Sequence, residues 1–169
     1  IADHSDEWND LLEFSKTCKI CNIKYGFVNF NPRPYQIEYF KNLLESKTFV
    51  CRKCRQCGAT TMNLIYAHWM AERHPENKVI LVYNKRMMVQ DAKNMFNSMF
   101  YHNPSKWNEN LPNVEFVTYD YLYRELNLSI FTRTSGDKYA EFSSKYFDPN
   151  VVLIFDEYAF MPYGNIVLN

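Results

Sequence analysis

Apolar residues recur along the chain with two periods, and the switches between them mark out the elements. Residues Asp6 to Phe14 place Trp8, Leu11 and Leu12 on one side of a short amphipathic helix. Residues 16–29 follow neither period. Pro32 and Pro34 stop whatever precedes them, and Pro34 suits the first turn of a helix. That helix reaches about Leu44 and buries Ile37, Phe40 and Leu44. Thr48-Phe49-Val50-Cys51 has strand composition. From Thr60 to about Arg73 the chain is apolar nearly all round, which predicts a helix covered on most sides, ended by His74-Pro75. Lys78 to Tyr83 is a continuous apolar run after its lysine, the pattern of a buried parallel strand. Over residues 85–100, Met88, Ala92, Met95, Phe96 and Met99 fall at helical spacing, with the methionines expected in the core. Residues 101–113 form a polar loop. Val114–Thr118 and Leu128–Arg133 look like strands, Asp120 to Glu125 shows no clear period, and Ser135-Gly136-Asp137 signals a turn. Val151 to Phe155 is again apolar throughout. Strands alternating with helices predict an α/β fold: a mostly parallel central sheet, helices on both faces, right-handed crossovers.

Composition narrows this picture. With 169 residues the chain is long enough to enclose a core. Four glycines and 17% aromatic residues exclude a disordered chain. Formal net charge is zero, so contact with nucleic acid would need a local patch. The basic residues Lys85, Arg86, Lys93, Lys106, Arg124, Arg133, Lys138 and Lys145 are scattered, and each also reads as solvated surface charge. No apolar run has membrane-spanning length, and no signal peptide is visible. A start at Ile1 suggests a fragment or a processed product. Cys18-x-x-Cys21 and Cys51-x-x-Cys54 imitate a four-cysteine zinc site, leaving Cys57 over. Clamping Cys51 and Cys54 would distort the segment around them. An odd thiol count suits a reducing compartment. His68 and His74 lack metal-ligand spacing and read as structural.

Two stretches carry candidate chemistry. Lys53-Cys54-Arg55-Gln56-Cys57-Gly58-Ala59-Thr60-Thr61 lies between the strand-like run at 48–51 and a helix start, the layout of a phosphate-binding loop. Gly58 fits the second glycine of that pattern, and Thr60 the hydroxyl that holds Mg2+. The lysine slot holds Ala59 and the first glycine slot holds Lys53. A lysine at the strand end could swing its ammonium onto the β- and γ-phosphates from the other side of the loop. The alternative is an ordinary strand-end lysine beside a loop that has lost its cation. The second stretch is Val151 to Glu157, where Asp156 and Glu157 stand at the C-terminal end of an apolar strand, the end at which open α/β sheets bind ligands. There Asp156 would hold Mg2+ through a water, and Glu157 would orient and deprotonate an attacking water. The alternative is an acidic strand-end turn. Ahead of the loop, Tyr35-Gln36 could read adenine, the ring stacking and the carboxamide pairing with the base edge. A buried Tyr and a surface Gln would be the plainer interpretation.

Taken in order, these residues resemble the ATPase domain of the large terminase subunit of tailed phages, a DNA-packaging motor. Arg33-Pro34-Tyr35-Gln36 resembles the adenine-binding Q motif of that family. Lys53 to Thr61, including Gln56 and Cys57, resembles its deviant Walker A loop, which carries the lysine at the first position. Asp156-Glu157-Tyr158-Ala159-Phe160-Met161-Pro162 resembles its Walker B run. The resemblance spans residues 25–165 and implies a P-loop NTPase domain over 30–169, after an N-terminal extension over 1–29. It further implies hydrolysis of ATP with Mg2+, Arg55 sensing or stabilising the γ-phosphate, and translocation of double-stranded DNA into a prohead. Implied partners are the portal protein, the small terminase subunit and further copies in a ring, in the cytoplasm of an infected host. The region Thr134 to Tyr146 has no equivalent of the Arg-Gly stretch often found before Walker B. The coupling motif and nuclease domain are expected to be missing. A helicase-like translocase shares the same three motifs, but usually keeps the lysine after the second glycine and follows Asp-Glu differently. A non-enzymatic nucleotide- or zinc-binding module is the third alternative.

Overall fold

The computed structural model describes residues 5–46, 48–51, 57–102, 111, 113–122, 124 and 150–156. Lys53, Cys54, Arg55, Gln56 and Glu157 lie outside the described residues. So do the expected strand at 128–133, the turn at 135–137, and Lys106, Arg133, Lys138 and Lys145. The chain divides into two compact units, one of Ile1–Trp69 with Asn94–Asn110 and one of Met70–Lys93 with Leu111–Asn169.

The first unit opens with α1 (Ser5–Thr17), whose Leu11 and Phe14 are buried. A hairpin follows, β1 (Lys19–Asn22) pairing antiparallel with β2 (Gly26–Asn29). Its turn forms because the Asn22 side-chain oxygen accepts hydrogen bonds from the amides of Lys24 and Tyr25 at 2.9 and 3.2 Å, and Gly26 takes φ +70°. Next comes α2 (Pro34–Glu45), with Phe40 fully buried and set edge-on to Phe30. Pro34 occupies the first helical turn, as its fixed φ and missing N–H favour.

The expected strand at Thr48–Cys51 is not formed. Among the described residues they join no ladder: Thr48 is a bend, 49–51 are irregular, and Val50 is exposed. Strand composition is only half of a strand, because the pairing that holds it is non-local. The chain then enters α3 (Ala59–Arg73), in which every residue from Met62 to Ala71 is buried, as the all-round apolar pattern predicted. Several polar groups pack on it through hydrogen bonds. Trp69 Nε1 donates to Asp10 at 2.8 Å and Tyr39 OH donates to Asn63 at 2.7 Å. The His68 ring lies 3.6 Å from that of Phe96, nearly parallel, with Nε2 3.3 Å from the Phe96 carbonyl.

The second unit is built on a three-stranded parallel sheet in the order β4-β3-β5, where β3 is Lys78–Tyr83, β4 Val114–Thr118 and β5 Val151–Phe155. All three strands keep the bounds their apolar runs predicted. Register is set by Leu81↔Phe116 on one side of β3 and Leu81↔Ile154 on the other. Ile80, Val82, Val117, Tyr119 and Leu122 form the core on one face, with Val151, Leu153 and Phe155 against it. On the other face Lys93, from α4 (Arg86–Tyr101), sets its ammonium over the Phe116 ring. Asn113 fastens the start of β4 by donating to the carbonyls of Ala71 and Asn77. Along α4, Ala92, Phe96 and Met99 are buried as expected, but Met95 is exposed, a correction to the expected core position. Its sulfur meets the Thr61 hydroxyl at 3.9 Å.

Candidate functional site

In the first unit the residues at 33–36 and 57–61 come together. Tyr35 OH and Gln36 Nε2 both donate to the Cys57 carbonyl, at 3.1 and 3.2 Å. Gln36 Oε1 accepts from the Arg33 amide at 2.9 Å. This is the glutamine half of a capping box. The reciprocal half cannot form, because a guanidinium has no acceptor. Burial is the reverse of the plain expectation: Gln36 is buried at 7% exposure, whereas Tyr35 is 47% exposed. A buried carboxamide must be satisfied. Gln36 bonds at both ends, leaving one N–H and one lone pair.

The two bonds on Cys57 also orient the next peptide. In a trans peptide the C=O and the following N–H point in opposite directions. With the Cys57 carbonyl directed at α2, the Gly58 N–H is directed away from it. Gly58 has φ +80°, and a Cβ there would sit 2.9 Å from Gln36 Nε2. Glycine is therefore required twice, by conformation and by the close approach of Gln36. Its carbonyl accepts the first bond of α3, from Met62 at 3.0 Å. The amides of the first turn have no carbonyl four residues back, so this end of α3 carries donors and partial positive charge. Ala59 is buried at 4% exposure, so the position of the usual lysine is occupied by a packed methyl.

Asp156 belongs to the second unit. It is buried, and its amide donates to Val82 O at 3.0 Å, carrying the β3–β5 ladder one residue past β5. That register sets it beside Tyr83, which in turn pairs with Thr118 of β4. The Tyr83 phenol is buried, and its hydroxyl has no hydrogen-bond partner among the described residues. Burial, and then the Asp156 charge, push its pKa far above the ordinary range. Asp156, Tyr83 and Thr118 thus form one row at the C-terminal end of the sheet.

Sequence reasoning missed the Cys57 carbonyl as the shared acceptor, since backbone groups leave no trace in spelling. It also left 120–125 unassigned, although Thr118 gives a signal: its hydroxyl accepts from the Tyr121 amide at 3.3 Å, as a capping residue does. Of the cysteines, Cys18 is buried with its thiol 3.5 Å from the Phe14 carbonyl, whereas Cys21, on the hairpin, is exposed. Among the described residues no group of three or more His, Cys, Asp or Glu could hold a metal ion, and no helix is long and apolar enough to cross a membrane. No family model matches the chain, and no curated protein matches it.

Proposed function

We propose that this chain is the ATPase part of a viral DNA-packaging motor of the large-terminase type, in which ATP hydrolysis drives double-stranded DNA into a prohead. The observation that carries the proposal is the paired hydrogen bond from Tyr35 and Gln36 onto the Cys57 carbonyl. It joins the Q-motif residues to the glycine loop and aims the Gly58 amide away from α2. In this reading the exposed Tyr35 ring stacks on adenine, and the remaining N–H and lone pair of Gln36 face the base. Arg33 stands at the same helix start. The amides from Cys57 to Thr61 receive the phosphates, with Gln56, and Lys53 and Arg55 supply positive charge. Glu157 orients and deprotonates the attacking water.

In this reading the Thr60 hydroxyl and the Asp156 carboxylate, hard oxygens of the kind Mg2+ prefers, are the groups that would hold the ion. When bound, it would neutralise charge on the transferring phosphate. In the intact motor the portal protein, the small terminase subunit and a ring of like chains are the partners, in the host cytoplasm.

Lys53→Ala is the test. Losing a charge-assisted contact worth about 2 kcal/mol weakens ATP binding or turnover by about thirtyfold in the full-length protein. Turnover equal to that of the unaltered protein would remove Lys53 from the site and the deviant-loop reading with it.

A further inference from the structure

We infer that the open cleft at the C-terminal ends of β3 and β4 is a contact site for the phosphodiester backbone of DNA. The choice of ligand rests on the motor reading; the site itself rests on charge and geometry. The cleft measures about 380 Å³, and Lys85, Arg86 and Arg124 converge on it from two separate segments. Parallel pairing of β3 with β4 brings the two strand ends side by side. The Val89 amide donates to the Lys85 carbonyl at 3.2 Å, which makes Lys85 the capping residue of α4 and Arg86 its first helical residue.

This is an unfavourable arrangement for an empty protein. The start of a helix carries partial positive charge and favours acids. The first turn of α4 has none, and two cations stand there instead. Arg124 adds a third. Among the described residues, none of the three makes an ion pair, and Asp120 is the acid lining the cleft. Three like charges against one acid at a positive helix end repel one another until a polyanion arrives.

The other lining groups can also bind phosphate oxygens. Asn84 offers an amide, and the Thr118 hydroxyl, already accepting from Tyr121, keeps a proton to donate. Flexible cations grip phosphates without reading sequence, which suits a motor that must pass any sequence. The cleft also shares its end of the sheet with Asp156, through the row Thr118, Tyr83 and Asp156.

A phosphodiester chain and a lone phosphate or nucleotide share this chemistry, and the experiment separates them. Binding of a labelled random-sequence duplex to this chain is measured over a range of salt concentrations. The three-site variant Lys85→Gln, Arg86→Gln, Arg124→Gln is compared with a control of equal charge change, Lys16→Gln, Lys24→Gln, Lys41→Gln. At about 0.9 per phosphate contact, the cleft variant should flatten the slope of log K against log salt by about 2.7, with the control unchanged. Asp120→Asn should tighten binding severalfold, a gain that misfolding cannot imitate. Equal slopes in the cleft variant and the unaltered chain, or an equal loss in the control, would overturn the inference. So would a cleft variant that loses affinity for inorganic phosphate or ATP but keeps it for the duplex. ATP binding by the unaltered chain, measured separately, reports on the motor reading: its absence, with the duplex result intact, would remove the motor and leave the cleft.

Discussion

Replacing Gly58 with alanine is the sharpest perturbation the first unit offers. Two penalties arise. Alanine at φ +80° costs about 1–2 kcal/mol in backbone strain. Its Cβ would lie 2.9 Å from Gln36 Nε2, so the carboxamide must move and give up its bond to the Cys57 carbonyl, worth about 1 kcal/mol. A stiffer unfolded chain returns about 0.5 kcal/mol. The net expectation is a loss of about 2 kcal/mol, read as a lower urea midpoint by tryptophan fluorescence, which reports on the buried Trp69. The two penalties separate in a double-mutant cycle. Gln36→Ala removes the obstructing group, so the double variant should lose about 1 kcal/mol less than the sum of the singles, while the strain remains. Strict additivity, or a Gly58→Ala penalty below about 0.5 kcal/mol, would refute the account of how α2 holds the loop.

Further outcomes follow from the same geometry. The pKa of His68 is lowered from 6.5 to about 4, by burial first, with the hydrogen bond to the Phe96 carbonyl opposing. A base with a depressed folded pKa gives stability that is complete above about pH 6.5 and lost as pH falls through 4, here about 3 kcal/mol. His68→Leu should flatten that acid limb in urea titrations at several pH values, and an unchanged limb would show that other groups carry it. Ile80→Ala, at the centre of the sheet core, should cost about 3 kcal/mol and lower the thermal midpoint. Ala59→Lys, which restores the usual loop spelling, should lower stability by about 1–3 kcal/mol without raising ATP turnover, since the methyl it replaces is buried; a more active, equally stable variant would contradict this.

What could be read from the chain depended on how local the cause was. Pro34, the all-round apolar run of α3 and the three sheet strands were legible because one segment's own period decides them. The hairpin at 19–29 was not, because its strands show little burial alternation and its turn depends on the Asn22 side chain. At 48–51 the composition was that of a strand, but ladder pairing is non-local and composition does not report it. Met95 lies on the predicted stripe but at its border, where it meets Thr61 instead of the core. The exchanged burial of Tyr35 and Gln36 was beyond local reading, because Gln36 is buried by the approach of a backbone 21 residues away. The motif named Tyr35, Gln36 and Gly58 and said nothing of how they are held.

The two sites also differ in what holds them, and that difference is measurable. Among the described residues, the bonds that tie Cys57 and Gly58 to α2 join neutral groups: a phenol, a carboxamide and backbone carbonyls and amides. Neutral hydrogen bonds are hardly screened, so added salt should leave this geometry in place. The cleft beside α4 depends on exposed cations, whose fields fade within about 8 Å at physiological ionic strength. Raising salt should therefore strip a polyanion from the cleft well before it disturbs the loop. A stability that falls with the Gly58→Ala penalty unchanged across salt, alongside duplex binding that weakens steeply, is the pattern these two architectures require. A Gly58→Ala penalty that varied with salt would mean that ionic groups beyond Tyr35 and Gln36 shape the loop.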